Sequence, residues 1–293
     1  MRSNEVWIYR FVVIIFALVF PISAGKAQTP LPSPTPAASP ALERQFFKNI
    51  LRDQKAIWTS PAHLEASDAR WIVPLGLSTA ALISTDRSTA KWVTQFDDQL
   101  DASRVISYAG STYGAAAVGA VFYFAGRAGH DPRARETGLL SWEALVDSEL
   151  VVVPIKAIAG RKRPLELHRG DFFRGGTSFP SGHAIHAWSV ATIIADEYSD
   201  HRSVQVVSYG IATAVSIARF SGEKHFLSDI LVGSALGYGI GRYVYHAHHR
   251  TSSSGLGGQE EGRLIELSSH WPELTPVFDI RAHSYGLGLC WSF

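Results

Sequence analysis

The sequence predicts an all-α fold: a six-helix bundle preceded by one amphipathic helix, with a short β-hairpin at the C-terminus. Three observations carry this expectation. Between residues 42 and 250, apolar residues recur at helical spacing in long segments separated by polar or Gly/Pro-bearing turns. Two of these segments are rich in small residues: Ala115, Ala116, Ala117, Gly119 and Ala120 in one, Gly233, Ala235, Gly237, Gly239 and Gly241 in the other. Such faces let helix backbones approach closely. Only the last stretch changes period, with Tyr285, Leu287, Leu289, Trp291 and Phe293 alternating with Gly286, Gly288, Cys290 and Ser292.

In chain order, Arg2 and Arg10 precede the apolar run Phe11 to Phe20, and Gly25-Lys26-Ala27 offers small residues for cleavage, so residues 1–27 read as a secretory signal peptide. The expected address is the bacterial periplasm or envelope, associated with or embedded in a membrane. Residues 28–41 form a Pro-rich linker, with Pro30, Pro32, Pro34, Pro36 and Pro40 forcing extended backbone. Leu42, Phe46, Ile50 and Ile57 then share a helical period, predicting an amphipathic helix to Trp58. Six helices are expected at about 70–85, 104–127, 136–160, 182–198, 203–219 and 226–247. Glu143, Asp147 and Glu149 within the third, and Asp196 and Glu197 ending the fourth, argue against a bundle fully exposed to lipid. The domain runs to residue 250. A Ser/Gly-rich linker at 251–262 leads to a tail at 263–293, where Thr275 to Arg281 is the expected partner of the last alternating strand.

Composition narrows the function. A net charge of +1 leaves no global basic excess for a nucleic-acid partner, so any anion must be held by local clusters. Cys290 is the single cysteine, which excludes an internal disulfide and leaves stability to packing. With 46% hydrophobic and 18% charged residues, the chain is richer in apolar residues than an average globular protein.

Three clusters offer chemistry. Lys156 and Arg163 lie seven residues apart and so fall near one helix face two turns apart, with Pro164 closing the helix, and an ammonium beside a guanidinium suits a phosphate. Phe179-Pro180-Ser181-Gly182-His183 places a capping Ser and backbone amides at a helix start, where phosphate oxygens can be held beside a proton-donating His183. Arg219 precedes His225 and Asp229, whose i, i+4 spacing brings an imidazole to a carboxylate that can orient it as a nucleophile. Each cluster alone has an ordinary explanation: a solvated basic helix end, a capped helix, a surface contact. Together they supply cations, helix-start donors, an acid and a nucleophile, which is what phosphoryl transfer requires. No Cys, His and carboxylate grouping shows metal-ligand spacing, and His246, His248 and His249 read as a polar helix end.

These segments resemble the three signature motifs of the type 2 phosphatidic acid phosphatase and vanadium haloperoxidase superfamily. Lys156, Arg163 and Pro164 meet the first motif and residues 180–183 the second. Arg219, His225 and Asp229 meet the third, with Ala218 where the family pattern has Ser. The resemblance implies His225 as nucleophile, His183 as general acid and Asp229 as orienting carboxylate, with Lys156, Arg163, Ser181, Gly182 and Arg219 holding phosphate. The implied function is metal-independent hydrolysis of a phosphate monoester or pyrophosphate without a cofactor. A lipid substrate is favoured by the apolar helices and by Phe46, Phe47, Trp58 and Trp71, which also leave membrane contact open. Two alternatives remain: a haloperoxidase with vanadate in the same cluster, or an envelope protein that binds phosphate without turnover.

Overall fold

The computed structural model describes residues 40–93, 103, 106–108, 110–253, 273–279 and 284–290; the expected signal peptide, most of the Pro-rich linker and the Ser/Gly-rich linker after Ser253 lie outside them. The chain divides into two compact units, Met1–Ser254 and Gly255–Phe293. Helices of the first unit are α1 (Pro40–Thr59), α2 (Ala69–Val93), α3 (Thr112–Ala128), α4 (Pro132–Ala159), α5 (Gly182–Glu197), α6 (Arg202–Ser221) and α7 (Leu227–Ser253). Short 3-10 turns at Ser60–His63 and Ala66–Asp68 join α1 to α2. The second unit has a two-stranded antiparallel hairpin, β1 (Glu273–Asp279) and β2 (Ser284–Cys290), in which Glu273 pairs with Cys290 and Asp279 with Ser284.

Local chemistry sets the ends of these helices. The Asp131 side chain accepts from the Arg133 and Ala134 amides, and Pro132 at the first position needs no amide partner, so α4 starts there. It stops at Ala159 because Gly160 takes a left-handed conformation, φ 52°. The continuous helical face expected from Lys156 to Arg163 is therefore broken, and Arg163 stands in the loop. Ser111 caps α3 through Gly114 N, so this helix begins at 112 and not at 104.

Helix α5 is apolar around most of its circumference and lies at the centre, packed against α4, α6 and α7. One core cluster joins Phe122, Ala134, Leu145, Val190, Ile194 and Val204; another joins Leu140, Ala144, Val151, Ile193, Ile240 and Val244. The glycines of α7 set its distance from α5. A Cβ at Gly233, Gly237 or Gly241 would lie 2.7, 2.3 or 2.5 Å from the carbonyl oxygens of Ser181, Ile185 or Ser189, so only glycine permits this approach. Helix α1 packs on α4 and α7, while α2 packs on α7. No helix among the described residues is long and apolar enough to cross a membrane.

Candidate active site

The loop of residues 160–181 carries two of the motifs and is closely knit. Phe173 N bonds Ala159 O at 2.8 Å, Gly176 N bonds Gly160 O at 2.9 Å, and Ser178 N bonds Arg161 O at 2.9 Å. Its centre is Arg161, 1% exposed, to which the sequence reading assigned no role. One of its nitrogens, Nη1, donates to Ser228 Oγ at 2.7 Å and Asp229 Oδ1 at 2.6 Å, while Nη2 donates to Asp86 Oδ2 at 2.9 Å. The guanidinium also lies over the rings of Phe226 and Phe172, 4.3 and 4.7 Å from their centroids. The second oxygen of Asp229 accepts from Ser178 Oγ at 2.6 Å and from Phe226 N at 2.9 Å. Asp229 is thus fully satisfied. Burial works against its charge, but the bonds and charges of His225, Arg161 and Ser178 prevail and hold its pKa below the usual carboxylate value.

His225 lies in the turn between α6 and α7, 2% exposed. Its Nδ1 is 2.7 Å from the Ser178 carbonyl oxygen and 3.7 Å from Asp229 Oδ2. The expected carboxylate thus stands at ion-pair distance, and a backbone carbonyl, which no sequence feature signalled, is the nearer acceptor. A carbonyl can only accept, so Nδ1 carries the proton and Nε2 keeps its lone pair. Burial is the main reason that His225 is lowered to about 4; Asp229 opposes the shift, whereas Arg219 and Lys156 add to it.

Around it stand the residues expected to hold phosphate. A Cβ at Gly182 would lie 3.0 Å from Lys156 Nζ, so this ammonium sits over the start of α5. Burial, then the neighbouring charge of Arg163, pushes Lys156 down, and the same two causes push Arg219 down to about 10. His183 falls to about 3 through burial, followed by Arg219 and His225. Three expected contacts have buried polar atoms without a hydrogen-bond partner: Arg163 Nε, Ser181 Oγ and Arg219 Nε. Ser181 differs from expectation in one respect. Its amide donates to the Asp229 carbonyl oxygen at 3.0 Å, and its hydroxyl does not cap α5. The Oγ of Ser181 and the Gly182 amide at the helix start are therefore the groups left to meet an anion. His183 and Arg219 also line a cavity of about 360 Å³ with Ser107, Tyr108, Ser111, Leu165 and Glu223.

Sequence reasoning missed Arg161, Asp86, Ser178 and Ser228. Arg161 was visible beside Lys162 and Arg163, but a basic run at a helix end gives no sign of which cation turns inward. Asp86 is 75 residues away and carries no motif.

The fold and this site define a helical bundle that gathers Lys156, Arg163 and Arg219 with a histidine oriented by a backbone carbonyl. Residues 138–253, which include all three motifs, match the PAP2 superfamily model. A curated lipid A 1-phosphatase of Porphyromonas gingivalis is 35% identical over 69 residues, covering 23% of this chain and 16% of that protein. The match thus spans about a sixth of the relative's length. A solved transmembrane PAP2 type phosphatidylglycerolphosphate phosphatase from Bacillus subtilis aligns at a TM-score of 0.45 and 22% identity, over 71% of this chain and 96% of that one.

Proposed function

We propose that the helical unit hydrolyses a phosphate monoester or pyrophosphate, carried on a lipid, through a phosphohistidine intermediate. The supporting observation is the pairing of a neutral His225, its Nδ1–H committed to a carbonyl, with buried donors that have no protein partner. Unsatisfied buried donors are costly unless a ligand completes them, and the mutually repelling Lys156, Arg163 and Arg219 require an anion.

In this reading the phosphate settles among Lys156, Arg163, Arg219, Ser181 Oγ and the Gly182 amide. Nε2 of His225 attacks phosphorus as the bond to the leaving oxygen breaks, and His183 gives that oxygen a proton. His225 becomes cationic, and Asp229 stabilises it from 3.7 Å. Water, deprotonated by His183, then attacks phosphorus and releases inorganic phosphate with His225 restored. Metal plays no part in these steps. With the site empty His183 is neutral, so the required proton arrives with the phosphate.

The lipid preference rests on exposed apolar side chains: Trp58, Leu64, Trp71, Ile72, Val73 and Leu77, on or between α1 and α2, are each 45–68% exposed. With the N-terminal export segment, they suit a protein working at the surface of an envelope membrane. The lipid A 1-phosphatase relative acts, by its name, on a lipid phosphate.

The test is phosphate release from a soluble phosphomonoester and from a lipid phosphate, with chelator present, beside His225→Ala. Expected are release by the native chain, a preference for the lipid, and an acid-labile, alkali-stable phosphoryl-enzyme absent from the variant. Release undiminished in His225→Ala overturns the phosphohistidine reading, and no release from either substrate overturns the phosphatase.

A further inference from the structure

At the opposite end of the bundle from the phosphate site, three helices turn acids and an imidazole toward one another. Nε2 of His248, on α7, is 2.7 Å from Asp53 Oδ2 on α1 and 3.6 Å from Glu143 Oε1 on α4. All three residues are at least 98% buried. Asp147, one turn after Glu143, flanks them and receives a bond from Gln54 Nε2 at 2.9 Å. The sequence reading placed His248 on a polar helix end; it is 2% exposed, because α1 and α4 cover that face of α7.

Two features point to a ligand. Asp53 Oδ1, Glu143 Oε1 and Asp147 Oδ2 are buried without a hydrogen-bond partner. Among the described residues, no Lys or Arg forms an ion pair with any of these acids. Three carboxylates against one imidazole must be neutralised by protons or by a cation.

We propose that Asp53, Glu143 and His248 bind a divalent transition-metal ion, best matched by Zn²⁺, that ties α1 to α4 and α7. Ligand atoms from the three residues lie within 4.8 Å of one another. A tetrahedral ion with bonds of about 2.0–2.1 Å holds its ligands about 3.3 Å apart, between the observed 2.7 and 3.6 Å. One imidazole with carboxylate oxygens in a closed pocket suits zinc better than magnesium, which keeps its waters. Three protein ligands leave the fourth position of a tetrahedral ion to a water. The site is structural: His248 lies 19 residues beyond Asp229, about 28 Å along α7, too far to touch phosphate.

The experiment uses the full chain, stripped with chelator and titrated with Zn²⁺ against a chromophoric indicator, alongside Asp53→Asn, His248→Gln and His249→Gln. The last variant probes the nearby Glu136, Glu197 and His249 grouping. Support consists of one Zn²⁺ per chain, at least tenfold weaker binding in Asp53→Asn and His248→Gln, unchanged binding in His249→Gln, and a melting temperature that rises with zinc. Unchanged phosphate release in chelator below the melting temperature would mark the ion as structural. Absence of stoichiometric binding, or binding lost only in His249→Gln, overturns the assignment. Should a variant fail to fold, Co²⁺ in the native chain decides: strong tetrahedral visible bands support the site, and bands of octahedral intensity refute it.

Discussion

Replacing Asp229 by Asn removes one negative charge while leaving size and backbone unchanged. In the proposed reaction the ring of His225 gains positive charge as it takes the phosphoryl group, with Asp229 Oδ2 3.7 Å away. At an effective dielectric of about 20, that attraction is about 4 kcal/mol at this distance. Arg161, 2.6 Å from the other oxygen, already balances part of the charge. The expected fall in kcat is therefore roughly 10²- to 10³-fold. Where a carboxylate also sets the tautomer of its histidine, the loss is about 10⁴-fold. Here the Ser178 carbonyl holds Nδ1–H at 2.7 Å, so the tautomer survives the substitution. Rapid-quench measurement of phosphoryl-enzyme formation gives the rate, and ¹⁵N NMR of the imidazole gives the tautomer. A loss below tenfold would show that the carboxylate charge is not felt at the ring. A changed tautomer would show that the Ser178 carbonyl does not hold it.

The pH profile of kcat/KM should be bell-shaped: below about 4 His225 protonates and loses its lone pair, while above about 6 the substrate's second phosphate proton is lost and none remains for the leaving group, His183 being neutral above about 3. An optimum above pH 8 would contradict that assignment of the proton. Arg161→Met leaves Asp86 and Asp229 buried without their cation, which should cost about 3–5 kcal/mol, or roughly 6–20 °C in melting temperature; a change below 2 °C, within roughly 1 kcal/mol, would remove Arg161 from the keystone position. Gly237→Ala should destabilise by about 1–3 kcal/mol because its methyl meets the Ile185 carbonyl, whereas Gly239→Ala, with nothing within 4 Å, should be neutral or stabilising by up to about 1 kcal/mol. Equal denaturant midpoints for the two variants would contradict the packing of α5 on α7.

Helix periodicity made the bundle legible because nearly every helix buries an apolar face, and the small residues of α7 signalled a close backbone approach without naming its partner, which is α5. Boundaries were less legible where a single residue decides them, as Gly160 does by ending α4 before Arg163. In the site, residues proposed to touch an anion carried motifs, because that chemistry would fix their identity and spacing. Their supports did not. Asp86 reaches Arg161 from another helix, and the acceptor for His225 is a backbone carbonyl that any residue can provide. His248 was misread because neighbouring histidines on a helix look solvated until the covering helices are known.

The amide of Ser181, bonded to the Asp229 carbonyl, lies where the glycine stripe of α7 meets α5. This links the start of the helix bearing His183 to the helix that begins just after His225. In the proposed reaction, acid and nucleophile therefore belong to one stiff frame, whose spacing is set by backbone against backbone. Under that proposal, adaptation to different leaving groups falls to other residues lining the cavity, such as Tyr108, Ser111 and Leu165. Exchanging those three side chains offers a way to change substrate preference while leaving the chemical step untouched.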